Sequence, residues 1–299
     1  MTRRADLGLG TAQFGLEPTG LTPHARVGEE QVRAILDTAA DSRLTLIDTA
    51  PRYGEAERLL GQSWPFPSPF KVITKTLRLS EGLDRIEARA RRSLERMGLP
   101  RGYALLVEHG EDLLAPEGRQ LWARLERLRD EGLFQKIGVS IHGGDEPVLL
   151  TRRFCPDIMQ VPCSLLDQSF SEDGTLRALK DLGCEIQLRS VFSQGLLFMP
   201  REALPAHLGD LGPRLSRIRR MLAEAGADPM QAALAYAQTR PEASSVIVGV
   251  ASAAELRALI AASCAPVPDL DWRALSLGRP VALDQGAWPS APGGLSSAA

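Results

Sequence analysis

A regular alternation of short apolar runs with longer amphipathic stretches constrains the fold of this chain more than any other feature. Eight runs have the length and composition of buried strands, and they are Leu7–Leu9, Leu44–Asp48, Phe70–Lys75, Tyr103–Glu108, Lys136–Ser140, Ile158–Val161, Glu185–Arg189 and Ser245–Val248. Neighbouring parallel strands need a long crossover connection, which is usually helical. The alternation therefore predicts an α/β fold, a single-domain (β/α)8 TIM barrel, although an open doubly wound sheet would give a similar pattern.

Helical periodicity fills the intervals between these strands. The predicted helices are Glu29–Ala40, Glu55–Gln62, Leu83–Met97, Pro116–Glu131, Glu146–Arg152, Gly174–Leu182, Arg214–Ala225 and Ala253–Ala262, with Pro229–Gln238 as an additional helix. The stretch Leu196–Pro213 contains several Pro and Gly residues and predicts a long functional loop. We assign residues 1–265 to the barrel and 266–288 to an extension packed on it. Residues 289–299 are almost all Pro, Gly, Ser and Ala, and we expect them to be disordered.

Charge and composition argue against several classes of partner. The net charge is −2 and the pI is about 6.2, so no overall positive field would attract a nucleic acid. No apolar stretch reaches the length of a membrane span, and the first residues do not lead into an apolar secretory segment. The four cysteines lack any C-x-x-C pair, which is typical of reduced thiols. We expect a cytoplasmic protein that acts on a small molecule and has no obligate protein partner.

Ionisable residues stand where three of the predicted strands end. Asp48, Lys75 and Glu108 are each the last residue of a strand, and Tyr53 lies five residues beyond Asp48. The carboxyl ends of barrel strands meet at one face, where catalytic residues collect. A lysine beside a tyrosine favours the phenolate and so assists proton donation, and an aspartate would hold the lysine in place. A buried Asp48–Lys75 ion pair with only a structural role explains the spacing equally well.

The segment Asp48–Gly61 carries the most specific motif of the chain. It reads Asp-Thr-Ala-Pro-Arg-Tyr-Gly-Glu-Ala-Glu-Arg-Leu-Leu-Gly and matches the D-T-A-x-x-Y-G-x-x-E-x-x-L-G signature of the aldo/keto reductase superfamily at every fixed position. Further matches, in family order, are Gly8–Gly15, Ile73–Lys75, Ile137–Ser140, Gln160–Pro162, Arg189–Leu197 and Val246–Gly249. From Leu7 to about Ala262 the chain resembles this superfamily, and specifically its bacterial branch.

The resemblance implies a (β/α)8 barrel that binds NADPH or NADH across the carboxyl ends of its strands. It implies that Tyr53 gives a proton to a carbonyl oxygen, assisted by the neighbouring lysine and aspartate. Ser140 and Gln160 would hold the nicotinamide amide, and Arg189 occupies the position where many relatives stack an aromatic ring on the nicotinamide. The other cofactor-binding residues that the resemblance implies are Thr11, Ser190, Gln194, Gly195, Leu196, Gly249, Ser252 and Glu255.

The choice between the two nicotinamide cofactors depends on residues near the last strand. NADPH is the usual cofactor of the family, and relatives that prefer it often place Lys or Arg there. This chain has Gly249 and Glu255 instead, and a carboxylate would repel the 2′-phosphate or accept from a ribose hydroxyl. Arg257 offers a compensating charge. We expect NADP(H) to be favoured slightly over NAD(H).

One position departs from the family pattern. Where the family has the histidine of L-L-V-H-x-x-x-D-L-L, this chain has Glu108, followed by His109. Successive strand residues point to opposite faces, so we expect Glu108 to face the site and His109 to point away, unless the strand slips by one residue. A carboxylate would oppose negative charge on a substrate oxygen, whereas a protonated Glu108 could donate a hydrogen bond. The steroid 5β-reductase branch has the same exchange, which implies reduction of a C=C bond conjugated to a carbonyl, or a specialised substrate.

Other functions fit the sequence less well. No complete G-x-G-x-x-G or G-x-S-x-G motif is present, which argues against a Rossmann dehydrogenase and a serine hydrolase. The four histidines lack metal-ligand spacing, so we expect no metal site. The predicted function is reduction of a carbonyl, or of a C=C bond conjugated to one, by hydride transfer from NAD(P)H. Two alternatives remain open: a cofactor-binding barrel with a regulatory role and little turnover, and an epimerase that uses bound nicotinamide without net redox.

Overall fold

Eight parallel strands close into a barrel in their chain order, and the last strand pairs with the first. The structure is a computed structural model that describes residues 4–16, 27–204 and 206–278. The strands are β1 (Asp6–Gly10), β2 (Leu46–Asp48), β3 (Lys71–Lys75), β4 (Gly102–Val107), β5 (Phe134–Ser140), β6 (Ile158–Pro162), β7 (Glu185–Arg189) and β8 (Ala243–Gly249). The predicted single-domain (β/α)8 barrel is therefore confirmed.

Helices form the outer layer of the barrel, because each has an apolar face to bury against the strands. The helices are α1 (Glu29–Asp41), α2 (Ala56–Ser63), α3 (Leu83–Arg96), α4 (Gly110–Leu114), α5 (Gly118–Asp130), α6 (Pro147–Phe154), α7 (Ser169–Glu172), α8 (Thr175–Asp181), α9 (Gly212–Glu224), α10 (Pro229–Gln238) and α11 (Ala253–Cys264). Helix α3 shows the principle: it buries Ile86, Ala90 and Leu94, which are four residues apart and share one face. The chain then leaves α3 through Gly98, whose φ of 63° suits glycine.

Apolar side chains fill the inside of the barrel as a separate small core. Four buried residues form this interior cluster, with Leu46 and Tyr103 packed against it, and they are Ile73, Ala104, Leu106 and Ile158. The intervening residues of β4, Leu105 and Val107, belong to the larger core beneath the helices. This alternation follows from the period of two in a strand. It fixes which residues beyond each strand can point into the mouth of the barrel.

The boundaries of several elements differ from those expected. Strand β5 begins at Phe134, because the Gly102 amide, at the start of β4, already pairs with the Leu133 carbonyl at 2.8 Å. Helix α4 is a short turn that has no periodic signal of its own. The stretch 196–213, expected to be a loop, contains 3-10 turns at Arg201–Ala203 and Ala206–Leu211, and α9 begins at Gly212. Pro and Gly thus start new short elements there.

The segment that follows α11 contacts the barrel in its described part, residues 266–278. The Leu277 backbone amide donates to the Leu166 carbonyl at 2.8 Å, and the Gln168 side-chain amide donates to the Trp272 carbonyl at 2.6 Å. Residues 279–288 of the expected extension, and the expected disordered tail 289–299, lie outside the described residues. Among the helices that are described, none has the length and apolar character needed to cross a membrane.

A glycine at the β5–β6 contact provides a test of the barrel packing. A Cβ at Gly138 would overlap the Ile158 carbonyl oxygen, so the two strands would have to separate. We expect Gly138→Ala to lower the free energy of unfolding by about 1–3 kcal/mol, measured by urea denaturation. Gly144→Ala is the control, since nothing lies within 4 Å of the added carbon. A Gly138→Ala protein as stable as this control would contradict the packing described.

Candidate active site

Four polar side chains lie at the mouth of the barrel, next to the interior cluster on the side of the carboxyl ends of the strands. Asp48, Lys75, Glu108 and Gln160 each follow, by two positions in the chain, a residue that belongs to that interior cluster or packs against it. The residues two positions before them are Leu46, Ile73, Leu106 and Ile158. Since alternate strand residues share a face, all four polar side chains point to the inside of the barrel. The strand pattern alone thus brings together residues that are far apart in the sequence.

Two adjoining cavities open at these carboxyl ends. The first cavity has a volume of about 170 Å³ and is lined by Gly10, Thr11, Ala12, Gln13, Asp48, Arg52, Tyr53, Lys75, Glu108, Ser140, Arg189, Ser190, Ile247 and Gly249. A separate, wider opening of about 930 Å³ lies at the opposite end of the barrel, at the amino ends of the strands, where Tyr103 donates to Glu185 at 2.8 Å. Because catalytic groups of (β/α)8 enzymes gather at the carboxyl ends, the first cavity is the candidate active site.

A buried ion pair forms the floor of the first cavity. The Lys75 Nζ donates to Asp48 Oδ1 at 2.8 Å, to Asp48 Oδ2 at 2.7 Å and to the Thr49 carbonyl at 3.1 Å. Lys75 is 2% exposed and Asp48 5%. Burial opposes the ammonium charge, but interactions with Asp48, Tyr53 and Glu108 together outweigh it, and the pKa of Lys75 lies above its ordinary value. The three ammonium hydrogens therefore all have acceptors, and Lys75 is held as a fixed positive charge.

Tyr53 lies in the tight turn after β2, and two glycines allow the turn to form. The Tyr53 amide donates to the Ala50 carbonyl at 3.0 Å. A Cβ on Gly15 would overlap the Tyr53 carbonyl oxygen, and Gly54 has a φ of 55°. The Tyr53 side chain is 8% exposed, and the Lys75 Nζ lies 5.2 Å from the centre of its ring. The turn thus holds the phenol against a fixed cation inside the first cavity.

Glu108 lines the first cavity and is paired with an arginine that the sequence analysis gave no role. Its Oε1 accepts from Arg52 Nε at 2.7 Å, and the Glu108 side chain is 4% exposed against 52% for Arg52. Within the described part of the chain, Glu108 Oε2 has no hydrogen-bond partner. In this charge-assisted hydrogen bond Glu108 accepts and Arg52 donates, whereas the sequence had suggested Glu108 as a donor. Arg52 occupies a variable position of the signature, between Asp48 and Tyr53.

Two histidines lie beside Glu108. The rings of His109 and His142 stack with centroids 4.9 Å apart and planes at 17°. His142 Nε2 lies 3.2 Å from the Glu108 carbonyl oxygen, and Nδ1 lies 3.3 Å from an Arg189 terminal nitrogen. Burial, followed by the charge of Arg189, lowers the pKa of His142 to about 3, so its ring is neutral. His109 is not among the residues that line the first cavity.

The fold also brings Glu108, His109 and His142 together as a possible ligand set. One donor atom from each lies within 4.8 Å of the others. The sequence spacing gave no sign of this, because the two histidines follow different strands. Arg52 and Arg189 already contact members of the set, and their positive charges would oppose a metal cation.

Arg189 is the remaining charge of the first cavity. Its terminal nitrogens donate to the Ile141 carbonyl at 2.6 Å and to the Ser190 hydroxyl at 3.1 Å. Burial lowers the pKa of this guanidinium. Among the described residues, no carboxylate lies within ion-pairing distance of it, and its Nε has no hydrogen-bond partner. The first cavity therefore contains two ion pairs and one guanidinium that is not neutralised.

The second cavity extends the first along the ends of β7 and β8. It has a volume of about 450 Å³, and it shares Gln13, Ser190, Ile247 and Gly249 with the first. Its remaining lining residues are Val191, Phe192, Gln194, Gly195, Phe198, Met230, Val248, Val250, Ala251, Glu255 and Leu259. The loop after β7 has left-handed backbone at Ser190, Ser193 and Gln194, a strained geometry that is common at functional sites.

The candidate cofactor residues fall into three groups in the structure. Those that line a cavity are Thr11, Ser140, Arg189, Ser190, Gln194, Gly195, Gly249 and Glu255. Gln160 is fully buried and donates to Asp48 Oδ1 at 2.6 Å, with its amide oxygen unpartnered among the described residues. Leu196 and Ser252 line neither cavity: Leu196 is buried, and the Ser252 hydroxyl caps α11 by accepting from the Glu255 amide at 3.1 Å.

Comparison with known proteins identifies the family. The sequence matches the model of the aldo/keto reductase family over residues 6–276. The chain belongs to this family. The resemblance found in the sequence is therefore confirmed, and the protein is an oxidoreductase of the aldo/keto reductase type. A search of curated protein sequences finds no significant match.

Solved structures of aldo-keto reductases share the fold of this family member. Aldo-keto reductase AKR11C1 from Bacillus halodurans, in its holo form, superposes with a TM-score of 0.73 at 20% identity, over 95% of this chain and 93% of that chain. A Pseudomonas aeruginosa protein described as an aldo-keto reductase gives a TM-score of 0.64 at 21% identity, over 87% and 90%. At these identities the similarity establishes the fold and leaves the substrate open.

Sequence reasoning missed three polar side chains of this aldo/keto reductase site. Arg52 contacts Glu108, His142 contacts the Glu108 carbonyl, and Gln13 lines both cavities. His142 follows Ser140 by two positions, so strand periodicity could have placed it on the same side. Arg52 had no comparable signal, because its contact joins a turn after β2 to the end of β4.

The buried Asp48–Lys75 pair predicts that a single substitution lowers the free energy of unfolding much more than a double substitution does. Asp48→Asn leaves the Lys75 ammonium buried without its counter-charge, so we expect the free energy of unfolding to fall by about 3–5 kcal/mol. Asp48→Asn combined with Lys75→Met removes both charges and should recover most of that loss.

Urea denaturation of these variants provides the measurement. Asp181→Asn is the control, because the Arg177–Asp181 pair is exposed, with side chains 72% and 61% accessible, and exposed pairs contribute at most about 1 kcal/mol. If Asp48→Asn costs no more than this control, the pair does not have the importance assigned to it.

Proposed function

We propose that the protein is an NAD(P)H-dependent reductase that converts a carbonyl of a small organic substrate to an alcohol. When bound, NAD(P)H supplies the hydride for the carbonyl carbon. Tyr53 gives its hydroxyl proton to the carbonyl oxygen, and a proton from solvent later restores the phenol. The hydride and the proton together account for the two hydrogens that the substrate gains.

The proximity of the Tyr53 ring to the fixed Lys75 ammonium is the observation that carries this proposal. Proton donation leaves negative charge on the phenol oxygen, and the cation 5.2 Å from the ring centre stabilises that charge. Asp48 keeps Lys75 in place through both carboxylate oxygens. A barrel that only bound a cofactor would have no need of a buried proton donor beside a fixed cation.

The two cavities fit a dinucleotide. Polar groups surround the first cavity, and a larger, mostly apolar cavity adjoins it, as a reactive head group with an extended body requires. Gly249 lies where the cavities meet, and a Cβ there would come within 2.5 Å of the Gln13 side chain. The buried oxygens of Gln13 and Gln160 lack partners among the described residues. These amide oxygens could accept hydrogen bonds from the nicotinamide amide.

Ten of the candidate cofactor residues retain their proposed binding role. Eight line the cavities, namely Thr11, Ser140, Arg189, Ser190, Gln194, Gly195, Gly249 and Glu255. Gln160 would act from beneath the first cavity. Ser252 would act indirectly, since it caps α11 and orders the turn that carries Glu255. Leu196 has a packing role instead.

We propose that the enzyme uses both NADPH and NADH, with only a small difference in its affinity for the two cofactors. Family habit favours NADPH, but the second cavity has no Lys or Arg among its described lining residues and does have Glu255. Glu255 Oε2 accepts from the Ala251 amide at 2.6 Å, which fixes the carboxylate near the cavity. Negative charge there disfavours the 2′-phosphate that distinguishes NADPH.

The Arg52–Glu108 pair supports a carbonyl substrate over a conjugated C=C bond. The enone hypothesis depended on Glu108 donating a hydrogen bond to the substrate, whereas Glu108 Oε1 accepts one from the Arg52 guanidinium. Carbonyl reduction requires only the proton from Tyr53 and a donor for the developing alkoxide.

Replacing the phenol tests the proposed function directly. Tyr53→Phe removes the proton donor, so we expect kcat/KM for aldehyde reduction to fall by about 10²–10⁴-fold, while the affinity for NADPH stays unchanged. The rate is measured by cofactor oxidation and the affinity by fluorescence titration. Tyr103→Phe is the control, since that phenol donates to Glu185 at the opposite end of the barrel. Full activity of Tyr53→Phe would refute the assigned role.

A further inference from the structure

The hydrogen-bond donors of the first cavity are not equally available to a substrate. All three ammonium hydrogens of Lys75 are accepted by Asp48 and the Thr49 carbonyl. Arg189 donates from both terminal nitrogens to neighbouring protein groups. Two of the three cations of the cavity therefore have few or no donors left to offer.

Arg52 is different, because only one of its five N–H groups is used. Its Nε donates to Glu108 at 2.7 Å, and within the described residues its two terminal nitrogens make no hydrogen bond. A guanidinium carries two hydrogens on each terminal nitrogen, so four donors remain. The side chain is 52% exposed and lines the first cavity. These donors are open to a ligand.

The position of Arg52 relative to Tyr53 is also suitable. The central carbon of the guanidinium lies 5.0 Å from the centre of the Tyr53 ring. Both residues line the first cavity, so a carbonyl oxygen bound there beside the Tyr53 hydroxyl has the Arg52 guanidinium as its neighbour. Preorganised donors aimed at an oxygen that becomes negative are among the largest contributions to catalysis.

We propose that Arg52 donates the second hydrogen bond to the substrate carbonyl oxygen, and that Glu108 is the positioning residue that holds it there. This inference rests on the proposed carbonyl reduction. As the hydride adds to the carbon, the C=O π electrons move to oxygen, which takes the Tyr53 proton. Arg52 keeps all its hydrogens and stabilises the transient negative charge.

This arrangement accounts for a carboxylate at a place where negative charge develops. Glu108 alone would raise the energy of the transition state, but the Arg52–Glu108 unit is neutral as a whole and presents N–H groups. Burial opposes the charge of Arg52, yet Glu108 and other nearby groups outweigh it, and the pKa of Arg52 is raised. The donor therefore stays charged at neutral pH.

Chemical rescue provides the test. With para-nitrobenzaldehyde and NADPH, we expect Arg52→Ala to lower kcat/KM by about 10²–10³-fold, the range for loss of one such donor, and to leave NADPH affinity unchanged. Guanidinium chloride, added below denaturing concentration, should restore part of the rate, whereas sodium chloride of equal ionic strength should not. Arg177→Ala, which removes an exposed guanidinium, is the control and should show neither the loss nor the rescue.

A second variant tests the positioning role of Glu108. Glu108→His supplies a donor of its own, so Arg52→Ala should cost much less in that background than in the wild type. Glu108→Gln, which keeps the shape but removes the charge, should lower kcat and leave NADPH affinity intact.

The outcomes separate this inference from the function on which it rests. An active wild type whose Arg52→Ala variant keeps full activity, or loses it without guanidinium rescue, overturns the donor role alone. A wild type that binds NADPH but reduces no aldehyde or ketone overturns the proposed function, and the donor role with it.

Discussion

The Lys75–Asp48 ion pair is the interaction on which the rest of the site depends. An ammonium that is 2% exposed can stay charged only if its hydrogens are accepted and its charge is balanced. Both carboxylate oxygens and a backbone carbonyl meet this requirement, and Gln160 fixes the carboxylate from below. The pair therefore holds one positive and one negative charge in fixed positions at the ends of β2 and β3, and the phenol of Tyr53 packs beside it.

Ion pairs balance most of the charge in the first cavity. The partner of each cation decides whether that cation still has hydrogen-bond donors for a ligand. Lys75 donates all three of its hydrogen bonds to Asp48 and the Thr49 carbonyl, so it acts on the Tyr53 phenol through its electrostatic field. Arg52 is oriented by Glu108 through a single N–H and keeps donors free, so it can act by contact. Arg189 has no carboxylate partner among the described residues, which gives the cavity a net positive character. Such a cavity favours reactions in which negative charge develops on an oxygen.

Much of the fold and part of the site could be predicted from the sequence, for physical reasons. The alternation of apolar runs with amphipathic stretches predicted the barrel, and the period of two predicted that Glu108 would face the cavity. The Arg52–Glu108 contact and the stacking of His109 on His142 could not be predicted, because they join different turns of the barrel. The short helix α4 and the 3-10 turns at Arg201–Ala203 and Ala206–Leu211 were not predicted, since one or two turns give too little periodicity.

Fluorescence titration of the wild-type protein with NADPH and with NADH tests whether the two cavities bind a nicotinamide dinucleotide. We expect saturable binding of both, with the nicotinamide emission changing as the head group enters the first cavity, and only a small difference in affinity. A strong preference for NADPH would contradict the effect assigned to Glu255 while leaving the site intact. If neither NADPH nor NADH binds at about 1 mM, the upper end of ordinary substrate affinities, the assignment of the two cavities as a dinucleotide site is contradicted.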